Sequence, residues 1–248
     1  MKSIINYVSN LYKSVYRKIK MKIIIAFLGL ISGISAVPFL EKIVPSYYLQ
    51  DERLVSGSIE SAIQDASQSI KDAGLDPFHI KRESSSFALP VPVIFNYEAF
   101  IEEILSTGLS DIKIHRVNYN IITSRLNFDI ELPLIHFSAG AAAAEGVLFS
   151  NNLDFSASGK VEIVSIRVTG QVRVSIGIIS GISIRSITIN LTLRDIVSDV
   201  NLVILGRDLS DEFNNFVGST IPNTIKAHNK EINELLEIVL LEVINANL

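Results

Sequence analysis

The chain has 248 residues, 48% of them hydrophobic and 19% charged, with a formal net charge of -4 and neither cysteine nor tryptophan. That length is ample for one large domain with its own core, and the composition is the reverse of a disordered one. The missing cysteines exclude disulfides, thiolate metal sites and thiol nucleophiles together. The charge is unevenly spread. Residues 1–36 carry Lys2, Lys13, Arg17, Lys18, Lys20 and Lys22 and no acid. The run IIIAFLGLISGI at 23–34 then closes on Ser35-Ala36. A basic stretch, a short apolar stretch and a small-residue end read as a secretory signal over 1–36. Met21 offers a second start, with 1–20 then an upstream extension. The other reading is an uncleaved signal anchor, although the run falls short of the ~20 residues of a bilayer span. Removing 1–36 takes 6 of the 22 Lys and Arg, leaving 16 against 26 acids and a charge of -10. Such a domain is a poor partner for nucleic acid or anionic membranes.

Residues 37–53, with Pro38 and Pro45, read as a linker to a domain over 54–248. Ile59, Ile63, Ala66, Ile70 and Ala73 recur at helical steps, with Ser56 and Ser58 as candidate caps and Gly74 as the stop. Residues 78–95 read as extended chain or loop, and Tyr97–Leu105 as either helix or strand. Leu126, Phe128, Ile130, Leu132 and Leu134 alternate with polar residues, the pattern of a half-buried strand. A turn at Ser150-Asn151-Asn152 makes a hairpin with the alternating segment Leu153–Ala157. Further strands follow over 160–168 and 172–178, with Gly170 as a turn or bulge. In the next strand the apolar parity changes near Arg185-Ser186, which predicts a bulge. Val200, Leu202 and Ile204 mark the last strand. Phe213, Phe216 and Val217 begin a return to helix, interrupted at Pro222. A broad apolar face from Ile225 to Ile244 predicts one helix over 223–246, ~36 Å long. No short solenoid repeat is visible. Strands grouped between helices argue for an α+β fold, with a curved antiparallel sheet covered by the two apolar-faced helices.

Chemistry-bearing motifs are sparse. His79, His115, His136 and His228 are dispersed, and no metal, nucleophile-elbow or phosphate-loop pattern occurs. Glu102-Glu103 and Asp211-Glu212 read as solvated acids. No serine is tied to a base by a recognisable motif, so the chain reads as a non-enzyme without cofactor or metal. Asn190-Leu191-Thr192 is the one glycosylation sequon, on the polar face of its strand. Residues 139–144, Ala-Gly-Ala-Ala-Ala-Ala, read either as a plain small-residue turn or as a place where withheld bulk leaves room for a ligand.

Several segments, in order, resemble one family. Leu75-Asp76-Pro77-Phe78-His79-Ile80 resembles the Asp-Pro segment after the first helix of insect takeout and juvenile-hormone-binding proteins. Gly108-Leu109-Ser110-Asp111-Ile112-Lys113-Ile114 is similar to their Gly-Leu-Ser segment. Leu126 to Phe149, with Pro133 and Glu145-Gly146-Val147-Leu148, resembles their central hairpin, and Asp211 to Phe216 the start of their final helix. The family's usual N-terminal cysteine pair is missing, as it is in the similar mite group 7 allergens. The resemblance implies a TULIP-like super-roll, a curved sheet around a long C-terminal helix with an apolar tunnel between them. It implies a secreted, monomeric carrier of a small hydrophobic ligand, a terpenoid, fatty acid or other lipid, in a haemolymph-like fluid. An innate-immune protein engaging microbial lipid or membrane is the alternative. Periodicity offers Ile63, Ile70, Phe128, Phe149, Phe155, Leu236, Val239 and Leu240 as tunnel-lining candidates.

Overall fold

The structure, a computed structural model, describes residues 52–177 and 181–245. The expected signal at 1–36 and all of the linker except Glu52 and Arg53 lie outside them. Helix α1 spans Glu52–Asp72. Leu75 N–H donates to the Ile70 carbonyl at 3.1 Å and Gly74 takes φ 66, the left-handed stop that its position predicts. The candidate caps lie inside the helix. Ser56 is used differently: its Oγ accepts the Tyr119 N–H at 3.0 Å and ties α1 to the sheet.

The strands are β1 (Phe78–Ala88), β2 (Phe95–Thr107), β3 (Lys113–Asn120), β4 (Arg125–Leu148), β5 (Asn151–Gly177), β6 (Gly181–Ile204) and β7 (Arg207–Asp208). They form one antiparallel sheet in the order β1-β2-β4-β5-β6-β7, with β3 also on β4. The undecided segment 97–105 is therefore strand. Glu102 and Glu103 lie in it too, held by Arg82 at 2.6 Å and His79 at 2.7 Å.

β5 is a single strand of 27 residues where the sequence suggests several. Its internal glycines are not turns. A Cβ on Gly170 would lie 2.6 Å from Phe128 Cζ and 2.3 Å from the Thr188 carbonyl oxygen, so glycine is there for close approach. The bulge expected in β6 is present: Arg173 pairs Ser186 and Val174 pairs Ile184, leaving Arg185 as the extra residue.

Pro133 sits inside β4, where a missing N–H ordinarily breaks a ladder. Its position explains the tolerance. β3 pairs β4 up to Glu131 and β2 begins at His136, so neither strand flanks Pro133. On the other side stands Ser165, with φ 55. The apolar set changes parity at this seam. Leu126 to Leu132 use even positions, while Ile135, Phe137 and Ala139 use odd ones.

The C-terminal region is segmented: α2 (Ser210–Asn215), a π-helical turn (Phe216–Thr220), α3 (Ile221–Ala227) and α4 (Asn229–Asn245). The single helix expected over 223–246 is thus broken at His228, which leaves helical geometry at φ -111 and ψ 28. His228 is exposed, in keeping with a residue at a helix boundary. The break lets the segments follow the open edge of β6. Leu240 and Ile244 of α4 bury against Phe128, Val172, Ile184, Ile187 and Ile189, the main core. α1 buries Val55, Ala62, Ile63 and Ile70 and packs on β3, where Val117 and Tyr119 are buried.

The β6 edge is sealed by side chains rather than by another long strand. Asn214 both accepts from and donates to Val200, Ser210 Oγ accepts the Leu202 N–H, and Asn233 and Glu237 accept the N–H groups of Leu191 and Ile189. Asn229 donates to the Leu191 carbonyl. An unpaired edge is an aggregation template, and this row of amides, one hydroxyl and one carboxylate closes it.

Candidate functional site: an apolar trough on the sheet

Beyond the Pro133 seam, pairing aligns one face of four strands. Ala99 of β2 pairs Ala144 of β4, which pairs Phe155 of β5, which pairs Ile204 of β6. The next rung toward the seam pairs Ile101, Ala142, Ala157 and Leu202 in the same way. Side chains alternate across a sheet, so directly opposed residues share a face. A one-residue bulge between Ala139 and Ala142 keeps that face continuous.

The middle of this face is made of small residues: Ala99, Ala142, Ala144, Gly146, Ala157 and Gly159. Large apolar residues border it. Phe87, Phe95 and Tyr97 form a chain with ring centroids 6.0 Å apart at each step. Phe137 of β4 stands at the seam end and Phe155 of β5 on the far side, 39% and 37% exposed. Small side chains flanked by aromatics make a shallow apolar trough. It has the chemistry to hold a flat or extended hydrocarbon by desolvation, at about 25 cal/mol per Å² buried. The alanine run is therefore strand, not turn, and its alternate members face the trough.

The predicted lining residues divide into groups. Phe128 and Leu240 are buried together in the main core, with Leu236 packed against them. Ile63 and Ile70 are buried on α1. Val239 is exposed on α4, and Phe149 is 71% exposed in the β4–β5 turn. Of these residues Phe155 alone borders the trough. The sequence reading missed Ala99, Ala157, Phe95 and Tyr97. The signal was present as small residues at alternate positions in neighbouring strands, but it needs the strand pairing to be seen. Asn190 is exposed, and its Oδ1 accepts from Asn233 Nδ2 at 3.4 Å.

Polar chemistry lies on the opposite face of the proximal half. Asp129 grips Arg167 through two hydrogen bonds, and the Arg167 guanidinium lowers the Asp129 pKa. Glu131 accepts from Ser165 Oγ and pairs with His115 Nε2, each at 2.6 Å, and these contacts, Ser165 first, lower its pKa. The carboxylate stands between serine and histidine. A nucleophile needs the base on its own hydroxyl, so this trio is not an activated serine. Among the described residues no cluster of three or more His, Asp or Glu could hold a metal. A second concavity, open and about 460 Å³, lies at the seam between Ser110–Lys113 and Pro133-Leu134.

The motif segments of the sequence meet in this architecture. Asp76 reaches across to Gly108 and Ser110, and Pro133 marks the seam. A family model described as haemolymph juvenile hormone binding protein (JHBP) matches residues 27–248. The chain belongs to the haemolymph juvenile hormone binding protein family. Among solved structures, Takeout 1 of Epiphyas postvittana is similar at 14% identity and a TM-score of 0.38, covering 78% of this chain and 90% of that one. A lipopolysaccharide binding protein is similar at 9% identity and a TM-score of 0.26, covering 73% of this chain and 39% of that one. Comparison with curated proteins finds no match. The long antiparallel sheet with C-terminal helices agrees with the α+β class expected. Among the described residues no helix is long and apolar enough to cross a membrane.

Proposed function

We propose that the protein is a secreted, monomeric carrier of a small hydrophobic ligand, such as a juvenile-hormone-like terpenoid, a fatty acid or another lipid. The observation that carries this reading is the trough, a half-exposed apolar face with small residues at its centre and aromatics at its rim. A core would fill such space. A carrier leaves it for cargo. The family's name points to the same ligand class. Recognition is by shape and desolvation, so it needs neither cofactor nor catalytic group. Titration of the purified protein with a fluorescent fatty acid, together with native mass spectrometry of protein from its source, tests the reading. Saturable uptake at one site and a co-purifying lipid are expected. A protein that takes up no apolar probe overturns it.

Export follows from the same reading. The basic and apolar segments of 1–36 support cleavage after Ala36, and the exposed Asn190 suits glycan addition. N-terminal sequencing of protein from the culture medium should begin at Val37. A glycosidase should shift its mobility, and Asn190→Gln should abolish that shift.

A further inference from the structure

The distal end of the sheet reverses the usual polarity of loops. The β1–β2 loop, the β4–β5 turn and the β6–β7 turn converge there. Phe149 and Ser150 N–H groups donate to the carbonyls of Ile94 and Val93, and Leu205 N–H donates to Asp154. Loop tips ordinarily carry polar and charged residues. Residues 84–97, 146–153 and 200–206 contain no charge at all. Their tips expose Val91, Val93, Ile94, Phe149 and Leu205 instead. Phe149 and Leu205 project from left-handed backbone, φ 49 and 51, which bulky residues adopt rarely.

Two of the tip's asparagines are spent on its own carbonyls. Asn96 Nδ2 donates to the Pro92 carbonyl at 2.8 Å, and Asn151 Nδ2 to those of Leu148 and Phe149 at 3.3 and 3.1 Å. The carbonyls of Val91, Val93 and Ile94 are taken by N–H groups within the same tip. A protein partner would be recognised through such groups. A hydrocarbon phase instead requires them satisfied internally. Behind the tip, Glu98, Glu145 and Asp154 stand opposite one another on three adjacent strands, all exposed. That acidic row repels anionic headgroups and favours the outermost ammonium of a zwitterionic lipid.

We infer that this tip docks on a zwitterionic lipid surface, with Phe149 and Leu205 inserted below the headgroups. The face that carries the trough runs on to the same end, where Phe95 pairs Leu148. Transfer of cargo between bilayer and trough, as the purpose of docking, rests on the carrier reading; the contact itself does not.

The chain has no tryptophan, so Phe149→Trp makes a single reporter in the full chain. With phosphatidylcholine vesicles its emission should shift to the blue and be quenched by brominated acyl chains. The double variant Phe149→Asn, Leu205→Asn should bind these vesicles about 10-fold more weakly or worse. Asn tolerates both backbone positions, so its melting curve should not fall. It should take up the fluorescent fatty acid like the parent when vesicles are absent, which separates a failure of docking from a failure of the carrier reading. No shift of the reporter overturns docking. So does binding confined to phosphatidylserine vesicles. Unchanged vesicle binding by the double variant overturns the insertion of Phe149 and Leu205. A dimer lost in the double variant would assign the tip to a second copy.

Discussion

The Asp76 carboxylate is buried and accepts both the backbone N–H and the hydroxyl of Ser110, at 2.6 and 2.5 Å, from 34 residues away. Its other oxygen accepts the Gly108 N–H at 3.0 Å. One side chain thus fixes the exit of α1 against the segment between β2 and β3. Asp76→Ala leaves two buried N–H groups without a partner and should cost about 2–4 kcal/mol. Ser110→Ala, which removes only the hydroxyl bond, should cost about 1 kcal/mol. Urea unfolding of both variants checks the order, and a larger loss from Ser110→Ala would refute the assignment.

Ser106 supplies the opposite case. Its hydroxyl is buried with no hydrogen-bond partner among the described residues. Ser106→Ala removes that desolvated group and leaves the backbone pairing of β2 intact. Stability should be unchanged or rise by up to about 1 kcal/mol. A clear loss in the urea midpoint would reveal a bond that this geometry does not contain.

Gly170 and Phe128 are fitted to each other. Gly170→Ala drives a methyl group into the ring and the Thr188 carbonyl, and should destabilise by about 1–3 kcal/mol. Trimming the ring through Phe128→Leu should make the second substitution less costly, so the pair is non-additive. Strict additivity in a double-mutant cycle would deny the contact.

Ala144 lies in the floor of the trough, opposite Phe155. Ala144→Phe fills the space that the ligand is proposed to use. Affinity for the fatty-acid probe should fall about 10-fold, equivalent to ~1.4 kcal/mol. The unfolding midpoint should move little, because the position is only half-buried. Full affinity in this variant would place the ligand elsewhere.

Asp129 and Glu131 both titrate below their ordinary values of 3.8 and 4.5 in the folded protein. The unfolded chain therefore binds more protons in the acid range, and stability rises with pH there. The contribution is complete above about pH 5 and is lost as pH falls through the depressed folded values. Asp129→Asn, Glu131→Gln should flatten the acid limb of the melting temperature against pH below about 5, with little change in its slope near neutrality. An unaltered acid limb would show that these exposed pairs are too screened to matter.

The parts that the sequence made legible were those that leave a trace in alternation. Leu126 to Leu134 announced their strand, and the parity change around Arg185 announced its bulge. Gly170 misled because glycine marks both turns and close approaches, and only the partner strand tells them apart. The break at His228 was marked only by the polar run His228 to Glu231 between Ile225 and Ile232, which a continuous amphipathic helix also accommodates. Asn214, Asn229 and Asn233 look like a wetted helix surface until the bare edge of β6 is placed beside them. The trough was half visible: the alanine run raised it, but its floor is assembled from three strands that no single window contains.

The seam at Pro133 has a mechanical meaning. On its proximal side the sheet is four strands wide, β3-β4-β5-β6, and on its distal side five, β1-β2-β4-β5-β6. Between Leu132 and Ile135 only β4, β5 and β6 carry across. A ribbon flexes where it is narrowest. Bending there would swing the distal sheet and its trough as a unit while leaving the helix-backed core of Phe128 and Ile244 at rest.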